Sequence, residues 1–181
     1  MSTPLKSQQN ELMWECSNDY DTEVTYKKGS AVASANQGVC AGLSIEWCKN
    51  ILKGVRPEVS KPFLLQGMLY QRFYDWGTDD ATRNAKLFGT AGVTAGPQEK
   101  RATAHQAASY LWAIEGVFWG GYDVHAVAAA KTSSTGPYLF FDPNYGCYAV
   151  HSEKRLTELF RQGRKAVGAK NWMEFYAVTL A

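Results

Sequence analysis

Few side chains in this 181-residue sequence are able to act as nucleophile or base: it holds four cysteines and three histidines. Cys40, Leu43, Trp47 and Ile51 recur at helical spacing, so a helix that buries this face starts at or next to Cys40. Gly38 permits an unusual turn just before it, and Gly54 and Pro57 bracket its end. A thiol at a helix start lies beside free N–H groups and the positive end of the helix dipole, both of which favour the nucleophilic thiolate. A buried, inert cysteine is the alternative. His125 lies in a β-prone run of Val and Ala. With a period of two it shares a face with Val127 and Ala129, whose small size leaves room beside the ring for a nucleophile and a substrate. A core histidine bonded to backbone would have the same neighbours. Asp142 ends the run Tyr138-Leu139-Phe140-Phe141 and precedes Pro143-Asn144-Tyr145-Gly146. A carboxylate there either caps the turn or, seventeen residues after His125, lies on the adjacent antiparallel strand and holds the imidazole by its second nitrogen.

The other candidates read as structural. His105 shares a helix face with Arg101, Ala108 and Trp112, His151 is an exposed strand end, Cys48 reads as packing, and Cys147 as a core thiol close to the Asp142 block. The glycine-rich stretch from Gly89 to Pro97 lacks the G-K-[ST] ending of a phosphate loop. Trp47, Trp76, Trp112 and Trp119 fall on apolar faces and need no ligand to explain them.

The elements that must position these residues follow from patterning. Residues 1–34 are polar with isolated aromatics and no sustained period, which predicts a loosely ordered leader ending in a docked strand near Glu23–Tyr26. Residues 35–181 are expected to form a single domain. A second helix is expected from Pro62 to Trp76 with Leu65, Leu69, Phe73 and Trp76 inward, then a loop over Gly89–Gly96, then a third helix from Gln98 to Trp112. Residues 113–121, 123–130, 138–142 and 145–151 read as an antiparallel meander. Ser152 caps a helix carrying Leu156, Leu159 and Phe160, and Trp172–Leu180 reads as a last strand. Helices first and sheet later make the class α+β.

Composition bounds the function. Apolar residues are 45% and charged residues 20%, the balance of a globular chain with a real core. A net charge of +2 is too small to make a nucleic-acid footprint, so no nucleic-acid partner is expected. No apolar run is long enough to span a bilayer, and stable membrane insertion is not expected. The first residues lack a Sec signal pattern, and Ser2 stands where N-myristoylation requires glycine. The four cysteines include no C-x-x-C pair, which disfavours structural zinc and a disulfide scaffold. No cofactor and no metal are expected.

Three blocks, Gly38-Val39-Cys40-Ala41-Gly42-Leu43-Ser44 with Trp47, His125-Ala126-Val127-Ala128-Ala129, and Phe141-Asp142-Pro143-Asn144-Tyr145-Gly146, resemble in this order the signature blocks of the YopT and AvrPphB type of bacterial effector cysteine proteases. The resemblance spans about residues 36–165 and includes a trailing short helix. It implies a papain-like α+β fold, with a helical N-terminal part whose nucleophile helix packs on an antiparallel sheet. It further implies Cys40 as nucleophile, His125 as general base and acid, and Asp142 as the group that orients His125. Members of that family are delivered by bacterial secretion systems and cut selected host proteins, including prenylated small GTPases or protein kinases, and some are first processed near the N-terminus. The chain would thus leave by a Sec-independent system and act in the target-cell cytoplasm on a protein substrate, with a secretion chaperone or immunity protein as further partners to consider.

Two departures stand out. The interval of 85 residues from Cys40 to His125 is short for the family, so elements that select substrate would be reduced. Papain-like enzymes also place a side-chain amide several residues before the cysteine as an oxyanion donor; here Gln37 and Asn36 stand only three and four before it. Gln37 is the favoured donor, with the backbone N–H of Cys40 as the second, and a polar loop leading into a helix is the alternative for both. A papain-type site also attacks side-chain amides, so a glutamine deamidase or transglutaminase-like toxin is a second reading. A non-catalytic binding module carrying relics of the three residues is a third.

Overall fold

A computed structural model describes residues 12–15, 39–56 and 60–181. Its centre is a seven-stranded sheet with the order β1-β6-β5-β4-β3-β7-β2, all pairs antiparallel. The strands are β1 (Leu12–Glu15), β2 (Val93–Arg101), β3 (Gly116–Tyr122), β4 (His125–Lys131), β5 (Tyr138–Asp142), β6 (Gly146–Val150) and β7 (Met173–Leu180). The helices are α1 (Cys40–Leu52), α2 (Lys61–Asp75), α3 (Asp80–Ala91), α4 (Ala104–Ala113) and α5 (Glu153–Ala166).

Alternate residues of the central strands feed two separate cores, as the two-residue period requires. Val117, Trp119, Ala126, Ala128 and Phe141 pack with α1, α2 and α3 on one face. Phe118, Tyr122, Val127, Ala129 and Phe140 pack with α4 and α5 on the other. Burial on both faces explains why β4 reads as a continuous small-apolar run rather than an alternating one.

The helix expected at Cys40 starts there. It crosses α2 where both backbones lack a side chain: a Cβ on Gly42 would overlap the carbonyl of Gly67, and one on Gly67 would strike Leu43. This close approach sets the rotation of α2 and corrects its expected face. Phe63, Gly67, Met68, Tyr70 and Gln71 point inward, whereas Leu65, Leu69 and Trp76 are exposed and Phe73 is half-buried. The leucine stripe has the right period but lies on the wrong side, because the glycine contact decides which face meets α1.

Residues 80–101 depart further from expectation. The stretch expected as a loop over Gly89–Gly96 instead ends α3 and begins β2. Helix α3 is opened by a reciprocal Asp79–Thr82 capping box and closed by Gly92 at φ +69°. The helix expected from Gln98 begins only at Ala104, after Thr103 accepts a hydrogen bond from Gln106 N. Residues 93–101 are claimed instead by pairing with β7, more than seventy residues away. The register shifts between Ala95 and Gln98, which accommodates Pro97 on an edge strand. The meander, the Ser152 cap accepting from Arg155 N and the final strand follow expectation. The strand expected near Glu23–Tyr26 lies outside the described residues; the segment that adds to the sheet there is Leu12–Glu15, with Trp14 opposite Cys147.

Candidate active site

Cys40 is the first residue of α1, and Val39 supplies no side-chain cap. The start of the helix is fixed by side chains from elsewhere. Trp119 Nε1 donates to the carbonyl of Ala41 at 3.2 Å, and Gly42 N donates to Gln71 Oε1 at 3.0 Å. Gln71 is in turn held by donating to Asp75 at 2.9 Å. The Cys40 thiol lies 3.9 Å from the carbonyl of Val124.

That carbonyl belongs to the tight β3–β4 hairpin. Tyr122 and His125 are opposite partners, and Asp123 takes the left-handed conformation at φ +51°. The Asp123 carboxylate accepts from the backbone of Lys170 at 2.6 Å and of Asn171 at 3.4 Å, which ties the hairpin to the segment entering β7. Gly121 is needed beside it, since a Cβ there would approach the His125 carbonyl to 2.5 Å. The hairpin delivers His125 next to Cys40 with only 5% of its surface exposed.

Asp142, 2% exposed, meets the ring from the end of β5. Its Oδ1 lies 2.8 Å from His125 Nε2 and also accepts from Asn144 N at 2.9 Å. One carboxylate oxygen thus meets both the turn backbone and the imidazole. Oδ2 accepts from the Tyr122 hydroxyl at 3.2 Å. With Nε2 engaged by Asp142, Nδ1 is the ring nitrogen left for the thiol.

The electrostatics match this geometry. Burial acts on Cys40 to raise its pKa, but hydrogen bonding to His125, the charge of that ring and the N–H groups of Ala126 and Ala41 prevail, leaving the thiol below its ordinary value. Burial likewise pulls His125 down, yet the charge and hydrogen bond of Asp142, together with Cys40, lift it to about 10. Both shifts act toward a thiolate facing an imidazolium. Burial pushes the other described thiols the opposite way, Cys48 well above its ordinary value and Cys147 to about 12.

Cys40 and His125 open onto a cleft of about 750 Å³ whose walls include Gln71, Tyr74, Trp119 and Trp172. Of the residues expected at the site, Cys40, His125 and Asp142 come together, while Gln37 and Asn36 lie outside the described residues. His105 and His151 are exposed, and Cys48 and Cys147 are buried in the core shared with α1. Sequence reasoning missed Tyr122 and Gln71, whose side chains meet Asp142 and the start of α1; nothing local marks either for that contact.

The sequence model of the peptidase family Peptidase_C58, described as Yersinia/Haemophilus virulence surface antigen, matches residues 85–176, half of the chain. The chain belongs to this family. The matched part includes His125 and Asp142, and Cys40 precedes it. Three solved structures share the fold of this family member. The Pseudomonas avirulence protein AvrPphB aligns with a TM-score of 0.58 at 16% identity over 78% of this chain and 92% of its own. PatoxP, a cysteine protease-like domain of the Photorhabdus asymbiotica toxin PaTox, aligns at 0.54 and 13% over 96% of this chain and 56% of its own. A ubiquitin-specific protease of murine cytomegalovirus, solved with a ubiquitin-based suicide substrate, aligns at 0.53 and 12% over 92% and 86%. No curated protein sequence matches. The fold is thus α+β and papain-like, and the family is that of YopT and AvrPphB, as the three sequence blocks implied. Among the described residues, no helix is long and apolar enough to cross a membrane.

Proposed function

We propose that this chain is a cysteine endopeptidase acting through Cys40, His125 and Asp142. The observation that carries the reading is a thiol at a helix start, held low, facing a buried imidazole whose far nitrogen is 2.8 Å from a buried carboxylate. The Cys40 thiolate attacks a substrate carbonyl, and its backbone N–H stabilises the developing oxyanion with the amide of Gln37 or Asn36 as the second donor. His125 gives its proton to the leaving amine, then takes one from the water that hydrolyses the thioester. Asp142 holds the ring so that Nδ1 faces the sulfur throughout and stabilises the imidazolium.

The substrate would be a protein of a target cell, reached after delivery by a Sec-independent secretion system. Membership of a family described by virulence antigens supports this, as does the likeness to an avirulence protein and a toxin domain. The test incubates a target-cell lysate with the wild type or with Cys40→Ala and maps protein N-termini across the proteome. New termini produced only by the wild type are expected, and they define the cleavage motif. Conversion of glutamine to glutamate without new termini would replace proteolysis by deamidation, and the absence of both changes would contradict an enzymatic reading and favour the binding module.

A further inference from the structure

The far side of Asp142 is built as deliberately as the side that meets His125. Among the described residues, the donor to Oδ2 is the Tyr122 hydroxyl, itself 1% exposed on a ring 5.6 Å from the His125 ring. Helix α5 closes over this contact. It does so with Gly163, where a Cβ would overlap the Tyr122 hydroxyl and come within 3.3 Å of Asp142 Oδ2. Glycine is a poor choice inside a helix, since alanine is the better helix former, and Gly163 is a buried helical position. Its φ does not require glycine. The absence of a side chain is therefore explained by the space that the tyrosine–aspartate contact needs.

Resting on the proposed Cys40-His125-Asp142 reading, we infer that Tyr122 is a positioning residue which fixes the Asp142 carboxylate, and that Gly163 is the helix residue that admits it. The phenol keeps its proton and donates it to the carboxylate: burial first, and then the charge of Asp142, hold its pKa well above the ordinary value. Without the hydroxyl, Oδ2 is a buried carboxylate oxygen lacking its donor. The carboxyl is then free to turn away from Nε2, so the imidazolium is held less firmly and the Cys40 thiolate loses part of its counter-charge. No bond is made or broken by Tyr122, so its effect must appear in the thiolate equilibrium.

The experiment titrates thiolate ultraviolet absorbance in the full chain and follows thermal stability alongside. The wild type should show a thiolate that persists well below the ordinary thiol range. Tyr122→Phe, which keeps the ring, should move that midpoint up by about one pH unit and reduce Cys40 alkylation in mild acid about tenfold. Gly163→Ala should move the midpoint the same way. The Gly163→Ala/Tyr122→Phe double variant should match Tyr122→Phe alone and regain stability lost in Gly163→Ala, because the methyl then occupies the space left by the hydroxyl. A folded Tyr122→Phe with the wild-type midpoint and alkylation rate would reduce Tyr122 to packing and overturn the inference. A wild type without a low-lying thiolate would overturn the triad reading and this inference with it, and that failure is distinguishable because it appears in the unmutated chain.

Discussion

Replacing Cys40 by Ala, or His125 by Ala, is expected to reduce turnover by a factor on the order of 10⁶, and combining them should cost little more. The thiol and imidazole act as one unit. Without His125, the buried thiol loses the hydrogen bond and charge that offset its burial and reverts to a neutral, poorly nucleophilic group. Without Cys40, the imidazole has nothing to activate. Single-turnover rates of the two single variants and the double variant, on a substrate defined by the lysate experiment, check this directly. If the double variant fell another hundredfold or so below either single one, the shared role would be contradicted. Both changes should leave the fold intact, since Cys40→Ala trims a single thiol from its core and His125 belongs to neither core cluster.

The second large effect concerns charge rather than contact. Asp142→Asn can keep the local geometry: its Oδ1 can accept from His125 and Asn144 N as now, while its Nδ2 donates to the Tyr122 hydroxyl oxygen. What disappears is the negative charge, which is foremost among the influences that raise His125. The turnover rate should fall on the order of a hundredfold, within the loss of about 10⁴ known when an orienting aspartate becomes asparagine in a related constellation. The sign of the pH effect follows. In the wild type, the imidazolium keeps its proton until about pH 10, so the basic limb of activity lies high. In the variant, burial still pulls His125 down and Cys40 alone remains to raise it, so the basic limb must move to lower pH. A pH–rate profile of the folded variant checks it, and a basic limb that stays in place would show that Asp142 acts only as the cap of its turn. Loss of folding instead would place the main weight on the backbone bond from Asn144.

The parts of the site legible in the sequence are those whose signal is local. Cys40 opens a helix because the apolar period of Leu43, Trp47 and Ile51 begins with it, and His125 lies on a strand because a β-prone run of Val and Ala surrounds it over a span short enough for one hairpin. Asp142 could be placed on the neighbouring strand from the turn that follows. What the sequence hid depends on contacts between distant segments. The leucine stripe of α2 faces outward because Gly67 meets Gly42, and nothing within α2 announces that approach. Residues 93–101 form a strand because β7 is there to pair with, although Gly96 and Pro97 read as a loop. Tyr122 was legible as a hairpin residue, but its hydroxyl acquires a role only when β5 brings Asp142 and α5 brings a glycine to the same point.

The central claim is that Cys40 is a thiolate because His125 and Asp142 make it one. The most direct test is the pH dependence of iodoacetamide alkylation, read cysteine by cysteine by mass spectrometry in the wild type and in His125→Ala. Cys48 and Cys147 serve as internal references, since burial holds both thiols neutral. Selective modification of Cys40 below about pH 7 in the wild type, lost in His125→Ala, is the predicted result. A Cys40 that reacts only in the ordinary thiol range, and equally with or without His125, would contradict it.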